Sequence, residues 1–332
     1  MSNFSNSQNL NIYYGIPHCH SSLSTGQGKP NDIFDYAKKR GLDFLIITDH
    51  NNCLDETIKS SSSKTSKWSY LIKCCEKYNK KHKSFVGLYG FESKLGNMGD
   101  INIINSYYFF KGTIKNLDNL ILWLMSNPCI LTFNHPHTAM ESLGFNEDLS
   151  NYVYLMEVGN GTGNKYTRFE KRYYKFLDMG WKVGAINSQD NHKMNFGDSE
   201  NLTAILCNEL TEENIYYALK NRRTYSTESA SLKLNFSINK IIMGDILYYK
   251  KGKLNFKIHA KDNTNLIEKL QVLSVGGKVI KEISFPKLSK IKYICNHIPN
   301  NDEKWYVIKI FQENNKIAIS SPIFIERNNL LN

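Results

Sequence analysis

Phe44-Leu45-Ile46-Ile47-Thr48-Asp49-His50 is an unbroken apolar run that ends on three polar side chains. Four successive bulky apolar residues without polar alternation mark a strand buried on both faces, as in a parallel sheet covered by helices. Just upstream, Pro30 and Asn31 open Ile33, Phe34, Tyr36 and Ala37 at helical spacing; Lys38, Lys39 and Arg40 occupy the last turn and Gly41 stops it. Before that helix, Ile12-Tyr13-Tyr14-Gly15-Ile16-Pro17-His18-Cys19-His20 reads as a short strand ending on two histidines one residue apart. Strand side chains alternate, so His18 and His20 share one side and Cys19 faces the other. Strand, loop, helix and strand make one β-α-β unit, and the paired imidazoles point to a metal ion.

The same ending recurs along the chain. Residues 84–91 run into Glu92, and residues 129–133 run into Asn134-His135-Pro136-His137. Residues 153–156 end in Glu157 with Asn160 close behind, and residues 181–186 end in Asn187-Ser188-Gln189-Asp190-Asn191-His192. Helical patterns lie between them over residues 113–127 and 166–179, and another covers residues 68–78. Residues 60–67 read as an exposed loop, residues 101–108 as a strand introduced by Asp100, and Thr211 as the cap of a helix over 214–220. Buried strands that alternate with helices, each finishing on a metal-competent side chain, describe a β/α barrel with its site at the C-terminal rim.

From about Ser231 the pattern changes to alternation, as in Leu232, Leu234, Phe236 and Ile238, with hairpin signals at Gly276-Gly277 and Asn314-Asn315. A small β-sandwich is expected over 231–332, after a barrel over 1–230. No run approaches the roughly 18 apolar residues that span a bilayer. The Asn- and Ser-rich residues 1–10 lack the features of a signal peptide, so a soluble, cytoplasmic protein is expected. Seven scattered cysteines without a C-x-x-C pair read as reduced thiols. The formal charge of +11 leans towards a small anionic substrate, but lysine is spread along the whole chain. A nucleic-acid binder concentrates its charge on one face, so neither nucleic acid nor a membrane is expected as a partner.

Taken together, the motifs resemble the polymerase-and-histidinol-phosphatase (PHP) superfamily of metallohydrolases, and most of all its CehA/McbA-like branch. The matching pieces are His18-x-His20, residues 41–44 leading to Thr48-Asp49-His50-Asn51, Gly90-x-Glu92, Asn134-His135-Pro136, Glu157-Val158, Asp190-x-His192, residues 218–225 and residues 320–324. The resemblance implies an α/β fold, a distorted TIM-like (β/α)7 barrel followed by an Ig-like β-sandwich. It implies that His18, His20, Glu92 and Asp190 hold one metal ion, and that Glu92 bridges to a second held with His135 and Asp100. His50 and His192 then complete the shell or act as proton donors. Imidazole and carboxylate suit zinc, manganese or iron.

Two departures bear on the metal count. The loop after His-x-His reads Ser24-Thr25-Gly26 where the family carries Ser-Asp-Gly, and Gly99-Asp100-Ile101-Asn102 stands where it carries Gly-His-x-Asn. One or two divalent ions are therefore expected. Asp49 is read as orienting its neighbours, Arg223 and Lys193 as possible receivers of a substrate anion, His137 as a loop residue, and His82 and His259 as bystanders. The expected activity is that of a metal-dependent hydrolase using a metal-activated water, in the first place a phosphoesterase. Carboxylester, carbamate or amide hydrolysis of the CehA type, or a barrel that only binds, are the alternatives.

Overall fold

In the computed structural model, which describes residues 10–60 and 63–327, the run 44–47 is fully buried. The first part of the chain forms β1 (Asn11–Ile16), α1 (Pro30–Lys39), β2 (Phe44–His50), β3 (Thr57–Ser60), β4 (Ser63–Ser66) and α2 (Lys67–Lys81). There follow β5 (Val86–Lys94), β6 (Asp100–Ile104), α3 (Leu117–Ser126), β7 (Ile130–Asn134), α4 (Glu147–Ser150), β8 (Val153–Asn160) and β9 (Thr167–Arg168). Then come α5 (Glu170–Met179), β10 (Gly184–Asn187), β11 (Leu202–Cys207), α6 (Glu212–Lys220) and β12 (Thr224–Thr227). The fold is mixed α/β, built on one large sheet in which β10-β8-β7-β6-β5-β2-β1-β11-β12 are successive neighbours. β1–β2, β2–β5, β7–β8 and β8–β10 are parallel, whereas β5–β6, β6–β7, β1–β11 and β11–β12 are antiparallel. A uniform alternation of parallel strand and helix is thus absent among the described residues. Sequence periodicity reports burial on each face but not strand direction.

The lack of alternation in β2 has a direct cause. Phe44 and Ile46 pack with Val86, Leu88, Ile104, Ile130, Leu155 and Ile205, while Leu45 and Ile47 pack into a separate core with Phe34 and Phe91. One strand feeds two cores. Helix α6 lays Ile215, Ala218 and Leu219 on the first of these, and its N-terminus is capped by Thr211, whose hydroxyl accepts from Asn214 N at 3.2 Å. A Cβ on Gly15 would come within 2.2 Å of the Phe44 carbonyl, so glycine is required where β1 passes over that ring. β10 turns its outer edge towards β11 and β12 without a backbone ladder. Hydroxyls serve it instead: Asn187 N donates to Thr203 Oγ1 (2.8 Å), Ala185 N to Ser321 Oγ (2.9 Å), and Thr224 Oγ1 to Ala185 O (2.8 Å).

The last part of the chain adds β13 (Lys233–Ile238), β14 (Ile241–Ile242), β15 (Ile246–Tyr249), β16 (Leu254–Lys261), β17 (Ile267–Ser274), β18 (Lys278–Leu288), β19 (Lys290–His297), β20 (Trp305–Gln312), β21 (Ile317–Ser320) and β22 (Ile323–Arg327). The large sheet continues from β12 through β21, β20, β17 and β18, and a second sheet has the order β14-β13-β16-β19. Between them lies a core that includes Leu234, Phe236, Phe256, Ile258, Leu270, Val272, Ile308 and Ile310. The turns fall where the dipeptides place them, with Gly276 and Gly277 at φ 73° and 69° and Asn314 and Asn315 at 60° and 58°. The sheet itself is continuous across the texture change near Ser231, because β12 pairs with β21 (Tyr225↔Ser320).

Several boundaries differ from expectation. Residues 60–67 belong largely to the β3–β4 hairpin, whose strands are polar and therefore show no apolar alternation; Ser61 and Ser62 lie outside the described residues, as do residues 1–9. The helix expected from residue 166 begins at Glu170, because Thr167 and Arg168 pair with Gly159 and Asn160. The helix expected from residue 113 starts at Leu117, where Asn116 Oδ1 accepts from Asp118 N and Asn119 N. The strand expected over 101–108 ends at Ile104. Among the described residues no helix is long and apolar enough to cross a membrane.

Candidate metal centre

The alternation that puts Phe44 and Ile46 on one face carries on to Thr48 and His50, and in β5 it carries Val86 and Leu88 on to Gly90 and Glu92. Ile104 is followed towards the same end by Asn102 and Asp100, Ile130 by Thr132 and Asn134, and Leu155 by Glu157. An apolar floor therefore gives way to polar side chains at the ends of the strands. His18 and His20 follow β1, held there by an isolated bridge between Cys19 and Asn191 and by hydrogen bonds from His20 N to Asn191 O (2.9 Å) and from Asp190 N to His18 O (3.1 Å). Cys19 faces away and is buried, its thiol donating to Ile46 O.

Glu92 is the hub. Its Oε1 lies 3.4 Å from His18 Nε2, 3.2 Å from His135 Nε2 and 3.0 Å from Asn134 Nδ2. Its Oε2 lies 3.4 Å from His20 Nε2 and 3.1 Å from His50 Nδ1. Asp190 Oδ1 lies 3.0 Å from His20 Nε2 and 3.4 Å from His18 Nε2. Burial pushes the Glu92 carboxyl up, but the charge of His18 and the contacts with His135, His18 and His50 outweigh it and hold the group well below its ordinary range. Asp190 is likewise lowered by His18 and His20 against burial. Burial lowers His20, whereas for His135 the Glu92 contact outweighs burial and raises the imidazole to about 8. Asp100 is raised by burial and by the Glu92 charge.

All eight predicted site residues come together. Ligand atoms of His18, His20 and Glu92, of His18, His135 and Asp190, of Glu92, Asp100 and His135, and of His20, His50 and His192 each lie within 4.8 Å of one another. The donor set fits divalent cations on a specific observation: His18 Nε2, both nitrogens of His20 and Asp190 Oδ1 are buried and make no aligned hydrogen bond, although Asp190 Oδ1 and the Glu92 carboxylate lie within ion-pair distance of the two Nε2 atoms. Buried polar atoms without aligned partners are costly, and three of these, His18 Nε2, His20 Nε2 and Asp190 Oδ1, face one another and call for a shared one. Side-chain exposure rises from 0% at His18 and His20 and 4% at Glu92 to 38% at His50 and 42% at His192, so the cluster has a closed floor and an open mouth. Two of its residues, His135 (φ 23°) and Asp190 (φ 49°), have positive φ, the backbone strain that clusters at functional sites.

Orientation comes from a second layer. His18 Nδ1 donates to Glu157 Oε1 at 2.8 Å, which turns Nε2 towards the cluster. Glu157 Oε2 accepts from His135 N (2.5 Å) and Asn160 Nδ2 (2.7 Å). His192 Nδ1 donates to the Asp190 carbonyl at 2.9 Å and leaves Nε2 free. Asp49 accepts from Ser21 N, Ser21 Oγ and Ser24 Oγ, fixing the loop after His20 as its orienting role requires. Thr25 in that loop is exposed and belongs to none of the four groups.

Other candidates stand elsewhere. Arg223 lies beside Leu206, whose register partner is Ile12, at the end of β1 remote from His18, and it faces Asp245 (3.7 Å) and the Tyr217 ring. Lys193 is exposed next to His192, and His82 stacks on Tyr78. Sequence reasoning passed over Lys94, which is exposed, pairs across from Asp100 and acts on it with its charge. Its signal was the i, i+2 spacing from Glu92.

No family model matches the chain. An uncharacterized protein of Chlamydia pneumoniae is 27% identical over 175 residues, covering 46% of this chain, and the chain spans only 28% of that curated relative's length. Among solved structures, a two-domain protein of Bacteroides vulgatus containing a predicted PHP-like metal-dependent phosphoesterase superposes with a TM-score of 0.54 at 15% identity, covering 95% of each chain. PsfC of Pseudomonas syringae covers 65% of this chain and 91% of its own at a TM-score of 0.47 and 16% identity. The Bacteroides likeness is one of fold and runs through both parts of the chain.

Proposed function

We propose that this chain is a PHP-type metal-dependent hydrolase of the CehA/McbA-like branch, a phosphoesterase on a small anionic substrate. Residues 1–230 would form the catalytic barrel, shut at its β10 seam by the hydroxyl bridges, and residues 231–332 a β-sandwich. The convergence of the buried His18 and His20 Nε2 atoms on the Glu92 and Asp190 carboxylates carries this reading. His18, His20, Glu92 and Asp190 would hold one ion, and Glu92, His135 and Asp100 a second. A bound divalent cation supplies Lewis acidity and lowers the pKa of water towards neutrality.

The chain's own side chains do the rest. Asn134 Nδ2 fixes the Glu92 carboxylate, and Glu157 fixes both His18 and the His135 backbone. His50 and His192, at the open mouth, would protonate a leaving group. Lys94 puts a positive charge at the rim beside Asp100, where an anionic substrate would arrive.

The test is elemental analysis of protein purified without chelators, followed by hydrolysis of p-nitrophenyl phosphate, bis-p-nitrophenyl phosphate and p-nitrophenyl acetate with added manganese, zinc or iron. One or two ions per chain and metal-dependent release from a phosphate ester are expected. Release from the acetate alone would move the assignment to carboxylic esters. Substoichiometric metal with no turnover on any substrate would leave a binding module. Glu157→Gln is expected to weaken metal retention about 10- to 100-fold, as loss of the group that orients a ligating histidine does. Titration against a chromophoric chelator measures it, and an unchanged affinity would remove Glu157 from this role.

A further inference from the structure

The four-stranded sheet has an outer face turned to solvent, and the register of its strands sorts the charge on it. Lys233, Lys261 and Lys290 lie in one row across β13, β16 and β19. The next row on that face holds Asn235, His259 and Lys292, and the row after it Ser237, Lys257 and Ile294. All five lysines are exposed, and none has an ion-pair partner among the described residues. The outward positions of these strands contain no Asp or Glu. His259 registers the crowding: its imidazole is lowered by burial and then by the charges of Lys292, Lys290 and Lys257. A protein that needed only solubility would intersperse both signs.

We infer that this face of the β13-β16-β19 sheet is a docking surface for an anionic lipid bilayer. Rows in a sheet repeat at about 4.8 Å across strands and about 6.8 Å along them, which gives a regular grid of point charges. A basic grid on a sheet face, with no helix among its three strands to enter a major groove, suits an extended anionic surface better than a duplex. The outward positions of the three strands include no Phe, Tyr or Trp, so a platform for stacking bases is missing. Ile294, 56% exposed in the midst of the lysines, and Ile298, 64% exposed just past β19, give the apolar points that peripheral proteins press into the headgroup layer. Lysine near an anionic leaflet contributes additively to binding and is screened by salt. This inference stands apart from the metal centre, which lies at strand ends of the large sheet and not on the four-stranded one.

The experiment is co-sedimentation of the full chain with phosphatidylcholine vesicles, with and without 30% phosphatidylserine. Binding to the phosphatidylserine vesicles only, lost between about 0.1 and 0.5 M salt, is expected. Exchanging Lys257, Lys261 and Lys292 for Ala should lower partitioning by about a hundredfold. Ile294→Ser should lower it several-fold with the charge unchanged. All four positions are exposed, and an unaltered thermal midpoint and p-nitrophenyl phosphate turnover would show the variants intact. Absence of phosphatidylserine-dependent binding at low salt, or binding that survives the triple exchange, would overturn the inference. So would tighter binding to a 30-base-pair duplex or a single-stranded RNA than to the vesicles, since that would make the partner a nucleic acid.

Discussion

Replacing Glu92 with Gln is expected to strip the protein of bound divalent metal and to lower metal-dependent hydrolysis by at least about a thousandfold. Among the described residues Glu92 is the one side chain whose two oxygens lie among four imidazoles, those of His18, His135, His20 and His50. Gln keeps the volume and one acceptor but loses the charge and turns an amide N–H towards those nitrogens. The metal-free protein is expected to lose stability as well. His18 is buried and raised well above its ordinary value by Asp190, Glu92 and Glu157 against burial, so deleting a carboxylate leaves a buried cation less compensated. A loss of about 3 kcal/mol in the metal-free protein follows from breaking such a buried pair. Asp100→Asn should do less on both counts, since Asp100 is half-buried and is placed in only one of the ligand groups. Metal content by mass spectrometry, turnover and a urea melt measure the three effects. Wild-type stoichiometry with turnover within a few-fold in Glu92→Gln would remove Glu92 from the centre of the site.

Why the site could be read from the chain and much of the fold could not comes down to range. His18, His20, His50, Glu92, His135 and Asp190 each end an apolar run, and that juxtaposition is local in sequence. Asp49, beside His50, could be assigned an orienting role because a carboxylate next to a ligand commonly holds its neighbours by hydrogen bonds. Glu157 ends its run in the same way, yet its hold on His18 crosses 139 positions and no spacing announces it. Strand direction is non-local in the same sense. The pairing of β5, β6 and β7 as antiparallel neighbours depends on which edges meet, not on the apolar pattern of any of them. The lysine face shows the limit most sharply. Lys233, Lys261 and Lys290 are separated by 28 and 29 positions and read as scattered charge until the β13-β16-β19 register sets them in one row.

Asp262→Ala is expected to cost about 4 kcal/mol of folding stability, and Asp262→Asn about half as much. Asp262, 1% exposed, sits at the end of β16 and accepts from Ser231 Oγ (2.7 Å), Thr264 N (2.8 Å) and Asn265 N (3.1 Å) on Oδ1, and from Ser229 Oγ (2.6 Å) and Gln312 Nε2 (2.8 Å) on Oδ2. It thereby ties the segment after β12 to the end of β20. Alanine leaves all these donors without their acceptor. Asparagine keeps an acceptor for one set and presents N–H groups to the other. Burial pushes the Asp262 carboxyl up, but the hydrogen bonds from Ser229, Ser231 and the backbone outweigh it and hold the group below its ordinary range. A carboxyl lowered in the folded state contributes stability that is present above its unfolded value, about 3.9, and is lost as pH falls through the folded one. The gap between the parent and Asp262→Asn should therefore be constant from pH 8 to about pH 5 and narrow below about pH 4. Urea melts of the metal-free protein at pH 7 and pH 3.5 measure both gaps. A gap that stayed the same at the two values, or an Asp262→Ala protein within about 1 kcal/mol of the parent at pH 7, would show that the serine, glutamine and amide donors find other partners and that this carboxylate does not tie the segment after β12 to β20.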